Sequence, residues 1–340
     1  MKLSIGIKAL NEERNIAAAL SSAMKAAEPW RGEVILADSG STDRTLEIAA
    51  GYPVRVVQLA DITERCCGAG AQLAFQSARG DYFYLLDGDM VLDTDFLNAA
   101  IPYLEAHPEL AAVGGRVREV NTEAHDFKIR AATVASNANW LPGEVEQLDC
   151  GGLYRTAAIE SVGYFADRNL HAFEEFELGA RLRGQGWKLA RIDHAAVDHF
   201  GHQTDGYTLL WRRFKSGYSG AAGEVLRGAI GGRHLPIVLK DLGHIRNGAL
   251  VAVWWGLLIL VALVPVPLAN GWLVRVAAFL ALLLLPLAGL TFRRRSLSLG
   301  LYSLVSWNIS AFGLFAGFFR RRTRPGEPLR SVELSRSALD

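Results

Sequence analysis

The residues with the clearest chemistry are carboxylates in pairs. Asp87 and Asp89 flank Gly88 at the end of the apolar run Tyr82-Phe83-Tyr84-Leu85-Leu86. Hard divalent cations take oxygen ligands, and Mg2+ is commonly held by one or two carboxylates together with substrate phosphates. The spacing therefore points to a metal-bridged diphosphate. An ordinary Asp-Gly turn accounts for these residues equally well when they are taken alone. An EF-hand does not fit, because Leu92 stands at the sixth loop position, where glycine is required. A second pair, Glu174 and Glu175, precedes Leu178 and Leu182 at helical spacing. One of these glutamates could take a proton from an acceptor hydroxyl. The plainer alternative is a solvated acidic helix start, favoured by the helix dipole.

Weaker signals surround these pairs. Lys8-Ala9-Leu10-Asn11-Glu12-Glu13 and Asp38-Ser39-Gly40-Ser41-Thr42-Asp43 each follow an apolar stretch. Asp38 could accept from the N–H of a nucleotide base, while Ser41 or Thr42 caps the next helix. His199 and His202 follow another apolar stretch, His199 being the better candidate ligand, and a structural histidine is as good a reading. Arg212, Arg213 and Lys215 could grip a pyrophosphate or lipid phosphate, or form a solvated face. Arg65, Gly68 and Gly70 read as a flexible loop over a donor. Cys66, Cys67 and Cys150 lack metal-ligand spacing and form no even-numbered disulfide framework.

The elements that must position these groups alternate. Residues 3–7, 34–37, 54–58, 82–86 and 112–116 are short apolar strands, with helical patterns over 13–27, 42–50 and 70–78. That alternation predicts an α/β domain with a mainly parallel sheet covered on both faces. Ligands of such sheets sit beyond the carboxyl ends of the strands, where the polar residues above are found.

The formal charge of the 340 residues, +1, hides a division. Residues 241–340 carry 11 Arg and Lys against 4 acids, and residues 1–240 carry 25 against 31. The near-neutral total speaks against a nucleic-acid binder. The basic part is also the apolar part. Uncharged or nearly uncharged runs cover 249–268, 272–292 and 297–319, and a membrane core needs about 20 helical residues. Acids by position 12 and an early strand give no export signal, so residues 1–235 are expected in the cytoplasm, attached to a multi-pass cell (inner) membrane anchor. Arg293, Arg294 and Arg295 suit a hairpin of the first two runs with both ends inside. Crossing by the third run would put Arg320, Arg321, Arg322 and Arg324 outside, against that rule. Ser303, Ser306, Ser310, Gly313 and Gly317 give it one small-residue face for helix packing. The expected division is a catalytic domain over 1–235, a membrane module over 236–325 whose third helix spans or is re-entrant, and a polar tail over 326–340.

In order, Asn-Glu-Glu at 11–13, Asp-x-Gly-Ser-Thr-Asp at 38–43, Asp-Gly-Asp at 87–89 and Glu-Glu at 174–175 resemble the family 2 glycosyltransferases. Gly151-Gly152 and Val162-Gly163-Tyr164-Phe165 resemble that family's acceptor-side segment. The resemblance implies the A-type nucleotide-sugar fold and inverting transfer of a sugar from a nucleotide diphosphate. It implies that Ala9, Asn11, Glu12 and Asp38, with Asp87, hold the nucleotide. Asp89 with Asp87, and His199 as a third ligand, would hold Mg2+ or Mn2+. Glu175 stands where the family has its base, with Glu174 as the alternative. Gly151, Gly152, Arg212 and Arg213 are candidates for acceptor or phosphate contacts. Lys8 stands where the family often has Pro, Leu10 where it often has Tyr, and Gln72 where Asn is frequent. The Gln-x-x-Arg-Trp motif of processive members is absent, which implies one sugar per encounter. Location at a membrane points to a lipid-linked acceptor, in glycan, exopolysaccharide or glycolipid synthesis. Two alternatives stand: a haloacid-dehalogenase-type phosphatase with Asp87 as nucleophile, and a membrane-bound relative without turnover.

Overall fold

The computed structural model describes residues 2–120, 137–201, 206–265 and 271–335; His202 lies outside the described residues. The chain divides into two compact units. The first comprises residues 1–206, 231–234 and 321–340, and the second comprises 207–230 and 235–320.

The strands of the first unit are β1 (Leu3–Ala9), β2 (Glu33–Asp38), β3 (Arg55–Leu59), β4 (Tyr82–Asp87), β5 (Met90–Leu92), β6 (Leu110–Glu119), β7 (Gly143–Val145), β8 (Gly152–Arg155), β9 (Lys188–His199) and β10 (Ser331–Leu334). Its helices are α1 (Ile16–Ala27), α2 (Thr45–Ala50), α3 (Cys67–Gln76), α4 (Phe96–Ala106), α5 (Thr156–Ser161) and α6 (Glu174–Gly184). All five expected strands and three expected helices are present.

The strands form one mixed sheet in the order β10-β3-β2-β1-β4-β8-β6-β9-β5, with β7 beside β9. β3, β2, β1 and β4 run parallel. β8 is antiparallel to both β4 and β6, and β9 is parallel to β6. So β1, β2, β4, β6 and β9 all deliver their carboxyl ends to one edge. Both faces are covered. On one, Leu3, Ile5 and Ile7 meet Ile16, Leu20 and Ala23 of α1; on the other, Ile35, Phe83 and Leu85 meet Leu73 and Ala74 of α3. Strands buried on both faces read as continuous apolar runs, which is how β2 and β4 read in the sequence.

The unit is completed by residues far along the chain. β10 adds antiparallel to β3, with Val332 opposite Gln58. Leu329 is buried in the core layer shared with Phe165 and Leu182. Its amide and carbonyl bond both ends of the Gln76 side chain. Arg168 donates to the Glu327 and Pro328 carbonyls, and Arg322 pairs with Asp167 at 2.8 Å. Residues 321–335, read from sequence as basic flank and polar tail, are a structural part of the sheet domain.

The second unit is helical: α7 (Gly206–Lys215, its first residue in the first unit), α8 (Ala221–Ala229), α9 (Leu235–Asp241), α10 (Gly243–Leu263), α11 (Gly271–Arg294) and α12 (Leu297–Phe319). Helices α10, α11 and α12 are long and apolar enough to cross a membrane. The small residues of α12 do serve close packing. A Cβ on Gly313 would lie 2.2 Å from the Ser219 carbonyl oxygen, and one on Gly317 1.9 Å from that of Gly220. The partner at this end is thus the turn leading into α8 rather than a long apolar helix.

Candidate active site

At the carboxyl edge of the sheet the first two loops are tied to each other. Asn11, in the left-handed region at φ 57°, accepts from the Thr42 N–H, while its own N–H donates to Ser41 Oγ at 2.9 Å. The Glu12 N–H donates to Thr45 Oγ1 and the Glu13 N–H to Asp43. Asp38 is fully buried and accepts from the N–H groups of Gly40 and Ser41 and from the Gln58 amide. Asn11 and Asp38 therefore shape the loops that would receive a nucleoside. Ala9 is buried at the end of β1.

β4 delivers Asp87 and Asp89 to the centre of this edge. A Cβ on Gly88 would fall 2.9 Å from Glu12 Cγ and 3.3 Å from Ala9 Cβ. The glycine thus lets the β1 loop close against the pair, and protein fills the space it leaves. β6 and β9 end beside them, with Glu119 opposite His199 in the parallel register. The His199 ring lies between two carboxylates: Nε2 is 3.3 Å from Asp89 and Nδ1 is 2.7 Å from Glu119. Burial disfavours its charge, but the hydrogen bonds to Asp89 and Glu119 prevail and raise its pKa to about 9. Glu119, Cys150 and His199 bring one potential ligand atom each within 4.8 Å of one another.

The base candidates arrive from α6. Its first residues follow Phe173, which is left-handed at φ 65°. Glu174 and Glu175 approach Lys8 on β1, whose ammonium lies 2.7 Å from Glu174, 3.2 Å from Asp87 and 3.8 Å from Glu175. Burial would lower the Lys8 pKa, yet these three carboxylates hold it well above its usual value. Burial, then the charge of Glu174, raises Glu175 well above the ordinary carboxylate range. Burial, then Asp89, raises Glu12 to about 7. Lys8 meets Asp87, Glu174 and Glu175, and His199 meets Asp89. Carboxylate donors gathered in this way, with an imidazole beside them, suit Mg2+ or Mn2+.

The structure thus gathers Ala9, Asn11, Glu12, Asp38, Asp87, Asp89, Glu174, Glu175 and His199 at one edge. Gly151 and Gly152 are buried beneath it. A Cβ on Gly151, at φ 89°, would meet the Tyr84 hydroxyl at 2.9 Å, and one on Gly152 would meet Leu148. Arg212 and Arg213 belong to α7 in the second unit and are exposed. Gly68 and Gly70 are not in a flexible loop but inside α3. Gly68 is required because a Cβ there would lie 2.1 Å from the Asp167 carbonyl oxygen. Gln72 caps the Phe165 and Ala166 N–H groups. Sequence reasoning missed Glu119. It closes an apolar strand with alternating Arg116, Val117 and Arg118, and only the β6–β9 pairing reveals its partner.

Residues 4–163 match the glycosyl transferase family 2 profile, so this segment is a family 2 glycosyltransferase domain and the chain is a glycosyltransferase. This removes the phosphatase alternative. The chain is 27% identical over 204 residues to the putative glycosyltransferase EpsE of Bacillus subtilis (strain 168), covering 57% of this chain and 71% of that protein. It is 27% identical over 127 residues to the probable glucomannan 4-beta-mannosyltransferase 11 of Arabidopsis thaliana, covering 34% of this chain but only 28% of that protein. In structure it resembles the mannosyltransferase PcManGT from Pyrobaculum calidifontis, solved with GDP-Man and Mn2+. The TM-score is 0.57 at 18% identity, covering 92% of this chain and 87% of that one. The fold is therefore the A-type nucleotide-sugar fold.

Proposed function

We propose that the chain performs metal-dependent, inverting, non-processive transfer of a sugar from a nucleotide diphosphate sugar to a lipid-linked acceptor at the cytoplasmic membrane face. The observation that carries this reading is the meeting of Asp87, Asp89 and His199 with Glu174 and Glu175 at one sheet edge. Ala9, Asn11, Glu12 and Asp38 form the walls for the nucleoside. Asp89, Asp87 and His199 would hold Mg2+ or Mn2+, which would neutralise the departing diphosphate as a Lewis acid. Glu175 accepts the proton of the acceptor hydroxyl as that oxygen bonds to the anomeric carbon. The bond from this carbon to the diphosphate oxygen breaks on the opposite face, with inversion. The acceptor class rests on the three long apolar helices, and the absent Gln-x-x-Arg-Trp motif supports single addition. The complete set of acidic groups speaks against a relative without turnover.

The test is a thermal-shift screen of nucleotide sugars with Mn2+, followed by transfer assays on lipid extracts. Glu175→Gln should cut transfer by about 100-fold or more while nucleotide binding persists. Full activity of that variant would remove Glu175 as base and move the role to Glu174.

A further inference from the structure

That reading gives work to the carboxylates and to His199, and leaves the partly buried cation of Lys8 without a task. Lys8 and Asp87 lie opposite each other in the register of parallel strands β1 and β4, so their contact joins two points that cannot slide. Helix α6 is held differently at its two ends. Toward its C-terminus, Arg181 is buried, pairs with Glu177 at 2.7 Å and donates to the Tyr164 and Phe165 carbonyls. At its N-terminus, Phe173 offers the helix no side-chain cap. There the ammonium of Lys8 reaches Glu174 at 2.7 Å.

We propose that Lys8 is a positioning residue for sugar transfer: through Glu174 it moors the N-terminus of α6 to the β1–β4 strand ends and leaves Glu175 as the carboxylate that meets the acceptor. The assignment divides the glutamate pair, and it rests on the reading of Glu175 as base. Three observations support it. The Glu174 side chain is 5% exposed and that of Glu175 18%, so the second carboxylate is the more accessible. Lys8 stands 2.7 Å from the first and 3.8 Å from the second, which makes Glu174 the mooring point. Asp87 at 3.2 Å and Glu174 at 2.7 Å engage two of the three N–H donors of the ammonium, so its short contacts run from β4 to α6.

The test is steady-state kinetics on the full 340-residue chain in detergent or lipid discs, with nucleotide affinity measured separately. Lys8→Met should lower kcat by about 100-fold and leave donor KM and nucleotide Kd within about threefold, the pattern of a lost transition-state interaction. Lys8→Arg, which keeps the charge, should recover at least about a tenth of kcat. The double variant Lys8→Met/Glu174→Gln should be no slower than Lys8→Met alone, since groups acting through each other are not additive. It also removes one uncompensated buried carboxylate, and so serves where Lys8→Met alone fails to fold. Hydrogen exchange at the Glu177–Ala180 amides gives a readout independent of turnover. It should quicken by about tenfold or more in Lys8→Met and in Glu174→Gln as the helix start loosens. A tenfold rise in donor KM at unchanged kcat would make Lys8 a donor contact and overturn the proposal. Additive losses, or unchanged α6 exchange, would overturn it as well. Full activity of Glu175→Gln with quickened exchange in the Lys8 variant would instead sink the choice of base and leave the mooring standing.

Discussion

His199 shows how one side chain can be fixed from both sides. A ligating histidine must present one ring nitrogen and have the other held, and a carboxylate on the far nitrogen commonly does the holding. Here Nδ1 faces Glu119 and Nε2 faces Asp89. Glu119→Gln should therefore lower Mn2+ affinity by about 10- to 100-fold, read by titration calorimetry on the full chain, with nucleotide affinity in the absence of metal unchanged. An unaltered Mn2+ affinity would exclude His199 as a ligand held in this way. Glu175 carries a pH dependence of its own. Its pKa is raised well above the usual 4.5 by burial and by Glu174. A base works only when deprotonated, so kcat should fall as pH drops through that raised value, at higher pH than for a free glutamate. A kcat that stays level down to pH about 4.5, the ordinary glutamate pKa, would remove Glu175 as the base. Both carboxylate pairs were legible in the sequence, Asp87 and Asp89 because they close an apolar run, and Glu174 and Glu175 because they open a helical pattern. Glu119 was not, because its meaning comes from a partner 80 residues away. Lys8 was visible only as a departure from the family pattern, and its three partners come from β4 and α6.

The elements explain why the sheet could be read and its edge could not. Strands β2 and β4 are buried on both faces and spell this out as the apolar runs 34–37 and 82–86, whereas β1 alternates Leu3, Ile5 and Ile7 with Ser4 and Gly6. β10 spells out Ser331-Val332-Glu333-Leu334, four residues with no such pattern, and its strand conformation comes from the free edge of β3 that it covers. Covering an edge protects it from pairing with other chains. What fixes this segment is Leu329, buried against the core, with both backbone groups bonded to Gln76. Leu329→Ala should cost about 2–5 kcal/mol of stability, as for other buried leucines, measured by urea unfolding of the full chain. The pairs Arg55–Glu333 and Arg330–Asp61 are partly exposed and should contribute little by comparison. If Leu329→Ala unfolds at the wild-type midpoint, residues 321–335 are an ornament of the sheet rather than part of it.

For the molecule as a whole, this segment restricts how the chain meets a membrane. Residues 231–234, before the apolar helices in the chain, and residues 321–335, after them, both belong to the sheet domain. A folded domain lies on one aqueous side, so a chain that leaves it at 235 and re-enters it at 321 must cross a bilayer an even number of times. Three helices are long and apolar enough to cross, and on this parity we propose that two of them do so. Arg293, Arg294 and Arg295 between α11 and α12 favour the pair that crosses being α10 and α11, since short loops rich in Arg stay on the cytoplasmic side. Helix α12 would then remain on the catalytic side of the bilayer, consistent with its tight glycine contacts to the turn before α8. Reporter cysteines at Lys240, Arg295 and Arg321 should all react with an impermeant thiol reagent from the catalytic side, and one at Val264 from the opposite side. Opposite accessibility of Lys240 and Arg321 would break the parity argument, and with it the joining of residues 321–335 to the sheet. Accessibility of Arg295 from the far side, with Lys240 and Arg321 agreeing, would keep the parity and leave α12 as one of the two helices that cross.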